Sequence, residues 1–504
     1  MKKLTKSLLV VLAAVVLLTG CTKESSEKAI LDFKFASPAV EAVITESAKT
    51  IVAVVPAGTD VTALVPIITV SEKAMVDPAS GTVVDFTYPV SFTVTAEDGS
   101  QARYIATVTV DQNGGGGGGG DDPTDPTTWS GIIDANTTWP DRGLDVDYII
   151  DGWLEIGSNA LLTIEPGVTV MFTGTNGGIG VGENAGLKMD GTEDKPIKFV
   201  GPANNPNNGS WNGIRISSQR NDNQFSYVQF LRGGSEEGIW SGVLHLADGR
   251  VSMKNCLIDG SLGNGICTEY DRSFFTAFEN NTVKNCAAYP WISENFTAVC
   301  KNIGTANTFS NNGINMVNIY YGAPDLEENL TMRDLSIPFY FRNGTSFGGN
   351  KTLTIEAGVE IIMPINEALR VDEECQFKAE GTAEKPIVIR CEDAAEAWNG
   401  IFFSSQRNGN VMNYCQIKNC GTSDGWTERS CIYIRGDAKL ALTNNVFGPS
   451  YYNGVGIENI ENWDNVTHSG NTFVGCLGGN VWLEYGGVYG GVEYEGDQIL
   501  DELP

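Results

Sequence analysis

The chain has 504 residues, enough for more than one folded domain. Its 33 basic and 62 acidic residues give a formal net charge of -29, and such a field repels polyanions. Because no basic stripe interrupts the acidic background, the composition argues against nucleic acid as a partner.

Residues 1–21 have the pattern of a lipoprotein signal peptide. Lysines near the start precede an apolar run over residues 8–18, which has the length of a secretory h-region. The following "LTGC" resembles the lipobox of bacterial lipoproteins, and the resemblance implies that Cys21 is lipidated and that residues 22–29 form a tether. It also implies an outer-membrane lipoprotein, anchored through its acyl chains and exposed at the cell surface, as in Bacteroidetes.

Residues 30–111 have the pattern of a small all-β module. Short runs such as "SFTVTA" and "YIATVTV" alternate apolar and polar residues, and turn clusters such as "PAGTD" and "EDGS" separate them. This pattern predicts an immunoglobulin-like β-sandwich. The order of the runs resembles an Ig-like module near the N-terminus of Bacteroidetes surface lipoproteins, and the resemblance implies a spacer that lifts a distal domain off the membrane.

Residues 112–128 are predicted to be a linker. Seven consecutive glycines cannot pack, and the Asp and Pro residues that follow keep the chain extended and solvated. The modules on either side are therefore expected to fold independently.

From residue 129 to 504, short apolar runs end at Gly, Asn or Asp, and strands recur about every 20 to 25 residues. This spacing predicts a chain that coils into parallel rungs. "LTIEPGV" at 162–168 returns as "LTIEAGV" at 353–359, which indicates two duplicated halves at about 145–325 and 335–504. The series "LTIEPGV…GTxxKPI…WNGI" resembles right-handed parallel β-helix proteins, a family of secreted lyases, glycoside hydrolases, adhesins and members without assigned chemistry.

The most strongly repeated motif is "WNGIRISSQRN" at 211–221, which returns as "WNGIFFSSQRN" at 398–408 with nine of eleven positions identical. Alternation places Ile214 and Ile216 inward and Arg215 outward, where the second copy has Phe402. One interpretation is a sugar site, with aromatic rings for stacking and planar polar groups for hydroxyls. The other interpretation, which we favour, is structural capping of backbone groups at a corner of the coil. The candidate ligand-binding residues are Trp211, Gln219, Arg220, Trp398, Gln406 and Arg407.

Cysteine and histidine usage does not indicate a metal site. Apart from Cys21, the ten cysteines lie between positions 256 and 476, no CxxC occurs, and the only histidines are His245 and His468. Buried thiols are favoured over disulfides, although an exported chain permits both. No cofactor is expected, and the acidic surface leaves Ca²⁺ open.

No catalytic signature stands out from the acidic background, so no catalytic residue is assigned. The leading hypothesis is therefore a cell-surface β-helix protein that binds a glycan or another surface polymer without catalysis. The alternatives are a β-helix polysaccharide lyase or glycoside hydrolase, and a purely structural adhesin.

Overall fold

A computed structural model describes residues 25–504 except 57–58, 112–124, 158, 236–237, 305, 323–324 and 422–428. Cys21 and most of the predicted linker lie outside the described residues. Two compact units are present: the smaller contains residues up to Ala53 and Val61–Thr107, and the larger contains Val54–Asp60 and Val108–Pro504. The predicted domain boundaries remain predictions.

The N-terminal strands form two small antiparallel sheets around an aromatic core. Phe33, Phe86 and Phe92 are buried there, and Phe33 meets both other rings edge to face. A 3₁₀ helix spans Val61–Ala63. The three-stranded sheet has the order Ala39–Glu41, Ile30–Ala36, Pro66–Val70, and the five-stranded sheet has the order Val43–Thr45, Thr50–Pro56, Gln101–Asp111, Val90–Thr95, Met75–Asp77.

The larger unit is a coil of parallel rungs, in which each strand pairs with the strand one turn earlier. The stack we call the long sheet runs through both halves: Tyr148–Ile156, Gly178–Val181, Gly213–Ile216, Gly242–Ala247, Asn264–Glu269, Trp291–Ser293, Val317–Ile319, Phe339–Phe341, Glu360–Met363, Ile387–Cys391, Cys415–Lys418, Val446–Phe447 and Thr472–Phe473.

Two further stacks complete the rungs of the first half. One contains Thr137–Trp139, Leu161–Ile164, Gly186–Asp190, Gln224–Ser226, Arg250–Lys254 and Phe274–Glu279. The other contains Thr127–Ile133, Thr169–Phe172, Ile197–Val200, Val228–Gly233, Leu257–Ser261, Thr282–Cys286 and Thr308–Ser310.

Two stacks likewise flank the long sheet in the second half. One contains Leu330–Met332, Thr352–Ile355, Gln376–Glu380, Val411–Asn413, Leu440–Thr443 and Val466–Ser469. The other contains Thr345–Phe347, Ala368–Val371, Gly400–Phe403, Ser430–Ile434, Asn453–Ile457, Gly479–Leu483 and the antiparallel Gln498–Leu500.

Few other elements interrupt the coil. A short α-helix, Phe296–Cys300, begins after Asn295, whose side chain accepts a hydrogen bond from the Ala298 amide. The remaining elements are the 3₁₀ helix Ile460–Asn465 and the antiparallel pair Val488–Tyr489 and Val492–Glu493.

Alternation along each strand explains the core, because every second side chain enters the coil. Ile214 and Ile216 are buried there, as predicted. At the corners, buried asparagines hold neighbouring rungs together: the Asn445 side chain accepts from the Cys415 amide at 2.9 Å and donates to the Met412 carbonyl at 2.9 Å. These bonds satisfy backbone groups that the turns leave without a ladder partner.

The predicted all-β class, with small N-terminal sheets before a parallel β-helix, is confirmed. The expectation of buried thiols holds for most of the ten β-helix cysteines, but Cys420 and Cys431 form a disulfide. Within the described parts of the chain, no helix has the length and apolarity needed to cross a membrane.

Candidate functional site

The two repeated tryptophans of the motif are core residues. Trp211 and Trp398 are each 0% exposed, and the Trp211 ring stacks on Phe172 with centroids 4.6 Å apart. Each indole N–H donates to a backbone carbonyl at 2.9 Å, Trp211 to Leu231 and Trp398 to Lys418. Neither ring therefore offers a face to a sugar, which corrects the sugar-site interpretation for these two residues.

The polar residues of the motif mostly cap backbone. Gln219 donates to the carbonyls of Asp248 and Arg272, and its own carbonyl accepts from Arg250. Arg220 pairs with Asp222 and donates to the Asn184 carbonyl at 3.3 Å.

In the second copy, Arg407 donates to the carbonyls of Lys351 and Glu374, each at 3.3 Å. Gln406, however, is exposed. The geometry of three of the four polar residues therefore agrees with the structural interpretation.

Chemically distinctive side chains lie elsewhere, on the outer surface of the long sheet. Strand pairing brings one outward residue from each successive rung into a line that we call the outer column. Its six steps, at about 4.8 Å each, span roughly 30 Å along the coil. In order, the outer column contains Glu155, Gly180, Arg215, His245, Cys267, Ile292 and Asn318.

One end of the outer column holds a carboxyl group beside an indole. Trp153 Nε1 donates to Glu155 Oε2 at 3.2 Å, and both side chains lie across the glycines of the next rung. A Cβ at Gly180 would stand 1.9 Å from Glu155 Oε2, so a larger residue there would force the Glu155 carboxyl group to shift. Burial raises the pKa of Glu155 to about 7, although Trp153 and Arg215 oppose the rise. This carboxyl can therefore hold or release a proton near neutral pH.

The centre of the outer column holds a histidine–carboxylate pair. His245 Nε2 lies 2.9 Å from Oε2 of Glu269, and both side chains are largely buried. Burial lowers the pKa of His245 and outweighs the opposite effect of Glu269. Burial favours a higher pKa for Glu269, but the hydrogen bond and charge of His245, with Arg215, lower it overall. At neutral pH a neutral imidazole then faces an ionised carboxylate.

Aromatic side chains gather at the other end, forming what we call the aromatic cluster: Trp240, Tyr320 and Tyr321. The ring centroids of Trp240 and Tyr320 are 5.6 Å apart, and those of Tyr320 and Tyr321 are 5.4 Å apart. The Arg342 guanidinium lies 5.0 Å from the Tyr320 centroid, a cation–π distance. Tyr321 is 53% exposed, so this end of the face offers aromatic surface to solvent.

The second copy of the duplication carries different chemistry at corresponding positions. Phe402 replaces Arg215, and the next rung carries Tyr433 where the first copy has His245. Phe402 and Tyr433 are at most 4% exposed, and they pack with Ala368 and Trp482 in a small apolar cluster outside the coil. The two copies thus agree in their core and differ in their outward columns. Where the first copy has the His245–Glu269 pair, the second has a buried hydrogen bond from Tyr433 to Glu484 and Arg370 over the Phe402 ring.

His245 and Glu269 are 24 residues apart, so no local sequence motif pairs them. The strand period of 20 to 25 residues was the signal that could have paired them. Hydroxyl-bearing ligands suit this face, since it presents hydrogen-bond donors, acceptors and aromatic surface together. Among the described residues, no group of three or more His, Cys, Asp or Glu side chains is placed to hold a metal ion.

Two family models match parts of the chain. The model described as "SGBP, N-terminal", for surface glycan-binding proteins, matches residues 30–110. The model described as "Pectate-lyase like beta helix domain" matches residues 131–244. The second match ends within the strand that carries His245, so it includes Glu155, Arg215 and Trp240 but not His245, Tyr320 or Tyr321.

Solved structures similar to parts of the chain come from Bacteroides. A protein proposed to be a glycoside hydrolase from Bacteroides thetaiotaomicron VPI-5482 is 33% identical over 18% of this chain and 27% of its own, with a TM-score of 0.16. A protein proposed to be secreted, from Bacteroides fragilis NCTC 9343, is 19% identical over 17% of this chain and 97% of its own, with a TM-score of 0.14. A search of curated proteins found no match. The chain therefore joins a segment similar to the N-terminal region of surface glycan-binding proteins to a segment similar to pectate-lyase-like β-helices.

Proposed function

We propose that this protein is a lipid-anchored, cell-surface glycan-binding protein whose β-helix binds a polysaccharide along the outer column. One observation carries the proposal: the outer column and the aromatic cluster lie together on one face of the long sheet. The match of residues 30–110 to the surface glycan-binding family supports the same conclusion. In this arrangement the N-terminal module holds the β-helix away from the membrane, and Cys21 carries the lipid.

The geometry suits an extended polymer. The outer column is roughly 30 Å long, which is the length of several consecutive sugar units. Cys267, Ile292 and Asn318 are at most 2% exposed. The polymer therefore contacts the partly exposed Glu155, Arg215 and His245 and the aromatic cluster, and several weak contacts add up to useful affinity. Aromatic rings bind the apolar faces of sugars, while His245, Glu269 and Arg215 provide hydrogen-bonding groups. Because the chain has a formal net charge of -29, uncharged polysaccharides are favoured over acidic ones.

A second candidate function is cleavage of the bound polysaccharide. It is favoured by Glu155, a carboxyl with a pKa of about 7, on the same face as the His245–Glu269 pair. A proton donor and a basic group along one polymer are what a lyase or hydrolase requires. Binding remains the leading proposal, because residues 30–110 match the surface glycan-binding family.

Binding and cleavage are separated by one experiment on the full chain in detergent. Affinity electrophoresis against galactomannan, xyloglucan, arabinan, and methyl-esterified and de-esterified homogalacturonan measures binding. A reducing-end and unsaturated-product assay on the same polymers, with and without Ca²⁺, measures cleavage. We expect at least one neutral polymer to retard the protein and none of the polymers to gain reducing ends or unsaturated products. Cleavage products that are formed by the wild-type chain but not by Glu155→Gln would favour cleavage over binding alone. If no polymer retards the protein, the proposal is contradicted.

A further inference from the structure

The side chain of Asn318 is a buried amide whose donor and acceptor atoms have no hydrogen-bond partner among the described residues. Asn318 lies in the strand Val317–Ile319, whose other two residues point into the core, so its side chain points out of the coil. Asn318 is nevertheless 0% exposed, and among the described residues neither its Nδ2 nor its Oδ1 has a hydrogen-bond partner.

An amide in this state destabilises the fold, since burial removes its hydrogen bonds to water. Other buried asparagines of the same coil are fully used: Asn445, also 0% exposed, bonds to Met412, Cys415 and Asn471. Asn318 has no such role at a corner of the coil. Unpaired buried polar groups are rare in folded proteins, and a functional role is one reason for such a group to persist.

The surroundings of Asn318 indicate what that ligand is. Its partners on the neighbouring rungs are Ile292 and Tyr340, and Tyr320 of the aromatic cluster is the next outward residue on its own side of the chain. The amide supplies one acceptor and one donor group side by side. A pair of adjacent sugar hydroxyls satisfies both, whereas a carboxylate can only accept and would leave Oδ1 unsatisfied.

We propose that Asn318 is the floor of a subsite for one uncharged sugar unit, whose adjacent hydroxyls bond to the amide while its apolar face contacts the aromatic cluster. The inference rests on the proposed glycan-binding function and names the part of the face that selects the sugar. Access requires a neighbouring ring to move. In this proposal Tyr320, which is half-buried and contacts both Trp240 and Arg342, is the ring that rotates to open the amide to solvent.

The test is Asn318→Leu, which replaces the amide by an apolar side chain of similar shape. Because no protein hydrogen bond is lost, we expect the melting temperature of the β-helix to stay the same or rise. Affinity for the neutral polymer that the wild-type chain binds best, among galactomannan, xyloglucan and arabinan, should fall at least tenfold. Asn318→Ala removes the amide without adding an apolar branch and should lose affinity to the same extent, so the result does not depend on how leucine packs.

Asn445→Leu is the matched control. It removes a buried amide with a full set of partners, so its melting temperature should fall while the folded fraction binds as tightly as wild type. Unchanged affinity in both Asn318 variants, with a binding wild-type chain, would overturn this inference and leave the proposed function standing. A wild-type chain that binds none of the three polymers would overturn both.

Discussion

At the residue scale, the pKa of Glu155 links the candidate site to stability. Its value of about 7 in the folded chain exceeds the ordinary 4.5 that the side chain regains on unfolding. A raised folded-state pKa contributes stability that is fully present below about pH 4.5 and is lost as the pH rises through about 7. The folded protein therefore carries an unfavourable buried charge at high pH.

Glu155→Gln should remove this dependence while keeping an acceptor for Trp153. Since every tryptophan lies at or after position 129, urea unfolding followed by tryptophan fluorescence reports on the β-helix segment. We expect the variant to be more stable than wild type at pH 8 by on the order of 2 kcal/mol, and the difference to vanish near pH 4.5. Stability curves that stay parallel from pH 4.5 to 8 would contradict the assigned pKa.

At the scale of the elements, the repeated motif tests whether the polar residues that both copies share stabilise the coil. Gln219 bonds to backbone carbonyls of two other turns, whereas its counterpart Gln406 is exposed. Gln219→Ala should therefore lower the free energy of unfolding by about 1 to 2 kcal/mol, and Gln406→Ala should change it little. Thermal melts of the two variants make the comparison. Equal shifts would mean that the hydrogen bonds of Gln219 do not stabilise the coil.

Much of the coil could be predicted from the sequence, because strand alternation and turn residues are local patterns. Strand alternation predicted the inward Ile214 and Ile216, and repeated turns predicted parallel rungs. Trp211 was harder to place, since a tryptophan before an Asn-Gly turn can cover a strand end or face solvent. Here it enters the core and donates to a carbonyl twenty residues away.

The candidate site depended on information that the sequence carries only indirectly. His245 and Glu269 meet because two strands pair in one register, and a shift of one residue would turn one of them into the core. Asn318 is unusual only because its amide lacks partners, and no pattern of residue types predicts that.

At the scale of the whole molecule, anchoring depends on a residue outside the described structure. The "LTGC" motif predicts that acyl chains on Cys21 hold the protein at the membrane. Cys21→Ser should therefore move the protein from the membrane pellet to the soluble fraction after detergent-free fractionation. A variant that still sediments with membranes would show that the anchor lies elsewhere.

The central claim is that the outward face of the first copy, rather than the fold as a whole, binds the polymer. Exposed aromatic residues in the two halves of the coil allow a matched comparison: Tyr321 of the aromatic cluster is 53% exposed, and Tyr451 in the second half is 45% exposed. The rings of Trp240 and Tyr321 should together contribute more than about 1.4 kcal/mol, a tenfold change in affinity.

The decisive measurement is the dissociation constant of the full chain for its best neutral polysaccharide, by isothermal titration calorimetry. The double variant Trp240→Ala with Tyr321→Ala should bind at least tenfold more weakly than wild type, and Tyr451→Ala should bind equally well. If the double variant is folded and retains wild-type affinity, or if Tyr451→Ala loses as much, the polymer does not bind where this account places it.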